Sequence, residues 1–227
     1  MNKPYIVCHM MTSVDGRIDC AMTAQLAGVD AYYKTLNELD TPTTLSGRVT
    51  AELELALPGT FRAKNNAAYG KEGFSKKTDA LGYEVVVDTK GTLLWNDDAQ
   101  YDKPHLIITS GQVSREYLDY LDGKNISWIA CGKERIDLKR AMEILADKFA
   151  VKRLAVVGGP KINSAFLSEG LLDEISVLIG AGIDGRRDMP AVFDGFAMNR
   201  AVTLLKLKDV KAFDSGAVWL RYIPQDA

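Results

Sequence analysis

The chain has 227 residues, 47% of them apolar and 26% charged, which is enough for one substantial core and predicts a single domain spanning 1–227. A formal charge of −2, with Lys and Arg scattered among Asp and Glu, excludes a basic nucleic-acid surface and points to a small-molecule ligand. No apolar run approaches the roughly 20 residues of a membrane span and no secretory signal pattern opens the chain, so a cytoplasmic protein is expected, with no membrane partner.

Tyr5 to Met11 reads as the first strand, and Thr12-Ser13-Val14-Asp15-Gly16-Arg17 as the turn out of it. From Asp30 to Leu39, Tyr32, Tyr33, Leu36 and Leu39 recur at helical spacing. A short strand over Thr43–Leu45 follows. Ser46-Gly47-Arg48-Val49-Thr50 then turns into a helix through Ala51–Leu57, which Pro58-Gly59 ends. Thr60–Leu81, polar and aperiodic, is expected to be a long surface loop. Glu84–Val87 and Leu106–Ile108 are expected strands, separated by an irregular polar excursion over Gly91–Lys103. Ser114–Leu121 reads as a helix, Ile126–Ala130 as a strand, and Leu138–Phe149 as a helix with Ala141, Met142, Leu145 and Phe149 inward.

Leu154-Ala155-Val156-Val157 is a strand that runs into Gly158-Gly159-Pro160 and a further helix. Three more strands follow: Glu174–Ile179, Ala201–Val210 and Ala217–Ile223. No helix separates the last two, and Ala212–Gly216 forms a turn, so they should make an antiparallel hairpin. The expected architecture is therefore α/β, with a mainly parallel central sheet, helices on both faces and an antiparallel C-terminal hairpin.

Two strand-to-helix turns are candidate phosphate sites. At Gly158-Gly159-Pro160 the glycines lack Cβ atoms and the proline fits the first helical turn, which leaves backbone N–H groups for an anion; a plain tight turn is the competing reading. Gly47-Arg48-Val49-Thr50 offers a glycine, a cation and a hydroxyl, although Arg48 also suits a surface ion pair and Thr50 a helix cap. A pyrophosphate-bearing dinucleotide would use both turns. Neither is the Gly-x-Gly-x-x-Gly fingerprint of an ordinary Rossmann domain. Cys8, Cys20 and Cys131 contain no Cys-x-x-Cys pair, and with only His9 and His105 beside them no metal-ligand spacing arises; Cys8 and Cys131 read as small apolar strand residues.

Four motifs in order resemble the reductase domain of riboflavin biosynthesis, the C-terminal half of the bifunctional pyrimidine deaminase/reductase, and more distantly dihydrofolate reductase. They are Thr12–Ile18, Gly47–Thr50, Val156–Pro160 and Gly170-Leu171-Leu172-Asp173-Glu174. The resemblance implies a dihydrofolate reductase-like fold, a homodimer and NADPH-dependent reduction of a phosphoribosylamino pyrimidine to its ribitylamino form. It further implies that Thr50 and the Gly159 to Ala165 turn, with Pro160, Lys161 and Ile162, contact the cofactor, and that the main chain around Met11 faces the nicotinamide. Thr89, Thr109 and Ser110, at strand ends on the same carboxyl edge, are then adenosine-side candidates, and Lys90, Lys133 and Arg135 are candidate partners of a 2′-phosphate.

Asp15 is the first candidate for a proton relay or orienting group, against a reading as a turn residue bonding nearby N–H groups. Glu54, one turn beyond Thr50, is the second, against a plain exposed glutamate. Two departures bear on substrate. Val157 stands where the family carries an acidic residue, and Glu52–Pro58 replaces its Asp-Asp-Pro segment with the following arginine; Arg62 and Lys64 are nearby substitutes. A reductase of another heterocycle and a catalytically silent NADP-binding module therefore stand as alternatives. The zinc signature of the deaminase is absent from the sequence.

Overall fold

The computed structural model describes residues 2–99 and 103–225. In chain order the elements are β1 (Tyr5–Thr12), α1 (Cys20–Thr23), α2 (Asp30–Glu38), β2 (Thr43–Gly47), α3 (Arg48–Glu54), β3 (Gly73–Ser75), β4 (Glu84–Val87), β5 (His105–Thr109), α4 (Arg115–Gly123), β6 (Ser127–Ala130), α5 (Leu138–Phe149), β7 (Arg153–Gly158), α6 (Pro160–Ser168), β8 (Glu174–Ile179), β9 (Leu205–Ala212) and β10 (Val218–Pro224). They group into two compact units, Met1–Pro4 with Pro42–Leu154, and Tyr5–Thr41 with Ala155–Ala227.

In the first unit the strands lie in the order β3-β6-β5-β4-β2. β2, β4, β5 and β6 pair in parallel, and β3 adds antiparallel to β6. The parallel strands are short apolar runs because side chains on both faces are covered: Val85, Val86, Leu106, Ile107, Ile108 and Ile129 are all fully buried. Ser114 caps α4 by accepting the Tyr117 N–H, and Asp137 caps α5 by accepting that of Arg140. α5 buries Leu138, Ala141, Met142, Ile144, Leu145 and Phe149, the inward stripe its spacing predicts.

Three differences from expectation arise in this unit. α3 begins directly after Gly47 and ends at Glu54, short of Leu57. The segment 60–81 is not all loop, since Gly73–Ser75 forms β3, whose three residues are too few to show a period. The excursion after Gly91 is irregular but not simply polar: Leu93 and Trp95 are buried, with the Trp95 indole N–H donated to the Tyr117 hydroxyl at 3.1 Å and that hydroxyl donated to Leu93 O at 3.0 Å. Positions 100–102 of that excursion lie outside the described residues.

In the second unit the order is β7-β1-β8-β10-β9. β1 and β8 are parallel, with Met10 opposite Val177, and β10 runs antiparallel to both β8 and β9. The hairpin is as expected, but β9 spans Leu205–Ala212 rather than starting at Ala201, because its register is set by β10, whose last residue, Pro224, faces Leu205. Its turn closes through Phe213 N–H to Ala217 O, with Gly216 at φ +85°. α2 buries Ala31 and Thr35 and is followed by buried Leu39, an i, i+4, i+8 stripe that leaves Tyr33 68% exposed instead of inward. The four-residue α1 is too short to predict. Its Met22, with Leu26, packs in one apolar cluster with Met11.

Two buried polar groups fix this unit. The Glu174 carboxylate, fully buried, accepts from Arg221 Nε at 2.5 Å, Lys208 Nζ at 2.6 Å and the Tyr5 hydroxyl at 3.0 Å, tying the hairpin to β1 and β8. His9 lies in the core beneath α2, stacked on Tyr32, with Nδ1 2.9 Å from Ser176 Oγ and Nε2 3.2 Å from Thr35 Oγ1. The Trp219 indole can only donate, and it donates to Ser176 Oγ at 2.7 Å. His9 Nε2 lies 3.4 Å from Tyr32 O, which can only accept, so in the neutral imidazole the proton is on Nε2 and Nδ1 takes the Ser176 hydroxyl.

Candidate functional site

In the first unit the site grows from the carboxyl ends of β2 and β4, where a parallel sheet binds ligands. β2 delivers Gly47 in extended conformation as the N-cap of α3, so Arg48 opens the helix and Thr50 follows in its first turn, half-buried. A cavity of about 380 Å³ lies there, with Arg48, Glu52, Thr60, Asp88, Thr89 and Lys90 in its lining. Arg48 Nη1 is held by Glu52 at 2.6 Å, both half-exposed, whereas Lys90 is exposed.

The floor of this cavity is a turn built by Asp88. Its buried carboxylate accepts the N–H groups of Thr92 at 2.6 Å and Leu93 at 3.0 Å. Thr109 Oγ1 and Ser110 Oγ, also buried, both donate to Thr89 O, at 3.0 and 2.9 Å. These two hydroxyls are thus spent on holding Thr89 in place rather than turned toward the cavity. Lys133 and Arg135 are exposed beyond β6 and do not line it, and Glu54 is exposed at the end of α3, also outside the lining.

In the second unit β7 leads through Gly158 to Gly159, which caps α6 at φ +95°, a backbone state open to glycine, and Pro160 takes the first helical position. Lys161 is exposed and Ile162 half-buried on the first turn. Asn163, fully buried, donates Nδ2–H to Val192 O at 2.8 Å while its Oδ1 has no partner among the described residues. Ser46 Oγ, on the residue before Gly47, is likewise buried and unpartnered. Among the described residues both strand-to-helix turns therefore carry a buried polar atom without a partner, as do Arg17 Nε and Thr41 Oγ1 elsewhere, and each such atom ordinarily demands one.

At the end of β1 the Met11 side chain is buried. In the turn that follows, the Asp15 carboxylate accepts from Ser13 Oγ at 2.6 Å and from the backbone N–H groups of Asp184 and Gly185 at 3.0 Å each. These bonds, that from Ser13 foremost, hold the carboxyl far below the usual carboxylate range, so it stays ionised at any physiological pH. That is the geometry of the turn-residue reading carried further: Asp15 ties down a loop about 170 positions away. Sequence reasoning missed that partner, and it also missed Glu52 and Thr60 as lining residues, while Ser46 and Asn163 lie within the two turns it named without being singled out there.

The family model described as the RibD C-terminal domain matches residues 4–219. The chain belongs to this family. It is 25% identical to the 2,5-diamino-6-ribosylamino-4(3H)-pyrimidinone 5′-phosphate reductase of Archaeoglobus fulgidus, over 92% of this chain and 94% of the relative. It is 29% identical to the protein of the same name in Methanothermobacter thermautotrophicus, over 94% of each. Among solved structures, a pyrimidine reductase-like protein of Corynebacterium diphtheriae superposes with a TM-score of 0.73 at 18% identity, covering 100% of this chain and 94% of that one. The riboflavin biosynthesis reductase of Saccharomyces cerevisiae does so with 0.62 at 17%, covering 99% and 91%. The RibD-type, dihydrofolate reductase-like α/β fold expected from the motifs is thus the fold of this chain.

Proposed function

We propose that this RibD-family chain reduces a phosphoribosylamino pyrimidine, 5-amino-6-(5-phosphoribosylamino)uracil or its diamino-pyrimidinone relative, to the ribitylamino form with NADPH. The observation that carries the reading is the unsatisfied buried atom at each strand-to-helix turn, Ser46 Oγ and Asn163 Oδ1, in a chain whose relatives bear the name of that reductase. Nicotinamide cofactor, when bound, supplies the hydride.

The chain's own residues position and select. Gly47, Arg48 and Thr50 at one turn, and Gly158, Gly159, Pro160, Lys161 and Ile162 at the other, offer backbone donors, a hydroxyl and cations to phosphate oxygens. Arg48 and Lys90 at the cavity favour the 2′-phosphate that distinguishes NADPH from NADH. Asp88 shares the lining, with its carboxylate bonded to the N–H groups of Thr92 and Leu93. Thr89 lines the same cavity on a turn held by Thr109 and Ser110. The main chain at Met11, at the end of β1, is the nicotinamide wall. Asp15 is a positioning residue, since an ionised carboxylate has no proton to give. Glu54, four residues after Thr50 on the same helical face, is the remaining carboxylate of the pair for proton delivery.

Titration with NADPH and NADH, followed by NADPH oxidation with the pyrimidine and with dihydrofolate, tests this. The expected result is preferential NADPH binding with turnover of the pyrimidine, and a loss of about tenfold in NADPH affinity for K90A with NADH unaffected. Binding without turnover would make the chain a silent module, turnover of dihydrofolate alone a different reductase, and absence of binding would refute the cofactor.

A homodimer and a cytoplasmic location go with this reading. All eight residues of β9 are exposed, including Leu205, Leu207 and Val210, and β9 closes the strand order of its unit. An open edge of that kind invites pairing with a second copy.

A further inference from the structure

The reductase reading leaves one part of the substrate without a receptor. Glu52–Pro58 stands where the resembled family's motif holds the substrate, and the nearby cations Arg62 and Lys64 are exposed in the 60–72 loop and do not line the cavity at the ends of β2 and β4. The second unit offers an alternative at the carboxyl ends of β1 and β8, in the loop over residues 182–191.

This loop is exposed but moulded onto the turn after β1. Val14 N–H donates to Gly182 O at 2.8 Å, and Asp15 takes the N–H groups of Asp184 and Gly185. Arg17 Nη1 donates to Met189 O at 2.5 Å, Ile18 N–H donates to Pro190 O at 3.0 Å, and Arg17 pairs with Ala191 in an isolated bridge. Both ends are thereby fixed and the tip is held out between them. On that tip stand two adjacent arginines with different fates. Arg186 is neutralised, its guanidinium lying between Asp184 and Asp19. Arg187 is exposed and makes no hydrogen bond or ion pair with the described residues, and Asp188 beside it is held at φ +61°. Two apolar side chains, Val14 and Ile183, stand 61% and 76% exposed where turn and loop meet. An uncompensated guanidinium on a loop whose backbone is anchored at both ends fits a ligand that carries an anion.

We propose that the 182–191 loop is a phosphate-monoester arm for the substrate, with Arg187 as its anion-binding side chain and Asp15 and Arg17 as the residues that hold the arm in place. The inference rests on the reductase reading for the identity of the substrate, but not for the existence of the site.

Ribose 5-phosphate and ribose are the probes, titrated by NMR against the wild-type chain, R187A and R187K. The wild type is expected to bind ribose 5-phosphate and not ribose, R187A to bind it at least about tenfold more weakly, and R187K to fall between, because lysine keeps the charge and loses the fork. In turnover, R187A should raise KM for the phosphorylated pyrimidine by a similar factor with kcat little changed, and leave the dephosphorylated analogue unaffected. Equal binding by wild type and R187A, or none by the wild type, overturns the site. Binding that depends on Arg187 in a protein that reduces no pyrimidine would leave this site standing and remove the reductase reading. Pyrimidine reduction with a KM indifferent to R187A would do the reverse.

Discussion

His9 makes the fold sensitive to mild acid, and the size of the effect follows from its surroundings. Burial, the largest cause, pushes the imidazole down to about 4 from its ordinary 6.5, and the Ser176 hydroxyl donating to Nδ1 leaves no acceptor for a second ring proton. In the unfolded chain His9 takes a proton near its ordinary value, so between those limits the unfolded state binds more protons and stability falls as pH falls. The contribution is fully present above about pH 7 and is lost by about pH 4; a shift of this size amounts to roughly 3 kcal/mol. Urea unfolding of the wild type and of H9Q, each at pH 7.5 and at pH 4, isolates this term, because every other titrating group is common to both proteins. The wild type should lose about 3 kcal/mol more than H9Q over that interval. Parallel losses in the two proteins, or an NMR titration placing folded His9 near 6.5, would refute the reasoning.

The Glu174 cluster predicts a second stability effect. E174Q leaves Arg221 and Lys208 facing a neutral amide and should cost about 3 kcal/mol in urea unfolding, toward the low end for a broken buried pair because both cations reach solvent. Burial pushes this carboxyl up, but the bonds from Arg221 and Lys208 outweigh it and hold it below its ordinary value, so its contribution is present at neutral pH and lost as pH falls through the depressed value. G159A forces a Cβ onto φ +95° and should lower stability by about 1–3 kcal/mol and weaken NADPH binding in a fluorescence titration; unchanged stability would mean that the turn relaxes. E52Q frees Arg48 from its 2.6 Å ion pair and should tighten NADPH binding a few-fold at low salt, with the gain fading at high salt; a loss of affinity would show that Glu52 orients Arg48 for the ligand instead of competing with it.

The elements legible in the sequence were those whose burial is written in contiguous residues. β4, β5 and β6 are apolar runs, and the inward face of α5 repeats at helical spacing, so each could be placed before its neighbours were known. What escaped depends on partners far along the chain. β3 exists because Phe74 meets Ile129, Leu93 and Trp95 are core residues because Tyr117 and Tyr120 receive them, and β9 starts at Leu205 because Pro224 stands opposite. Three residues, or an apolar pair inside a polar stretch, leave no period to read.

The same division runs through the candidate site. Gly159 was legible as a strand-to-helix turn from the double glycine and the proline after it, and the turn is where the motif put it. Asp15 was visible as a carboxylate at the end of a strand, but its role turns on Asp184 and Gly185, whose N–H groups no spacing rule connects to it. A carboxylate that accepts three hydrogen bonds is stabilised in its charged form by each of them, and every bond that fixes the loop also makes Asp15 a poorer acid. Positioning and proton donation are therefore exclusive duties for this side chain. D15N, which cannot accept both N–H groups as the carboxylate does, should raise KM while leaving the pH profile of kcat in place; a kcat that collapses and loses one limb of its pH dependence would return Asp15 to the chemistry.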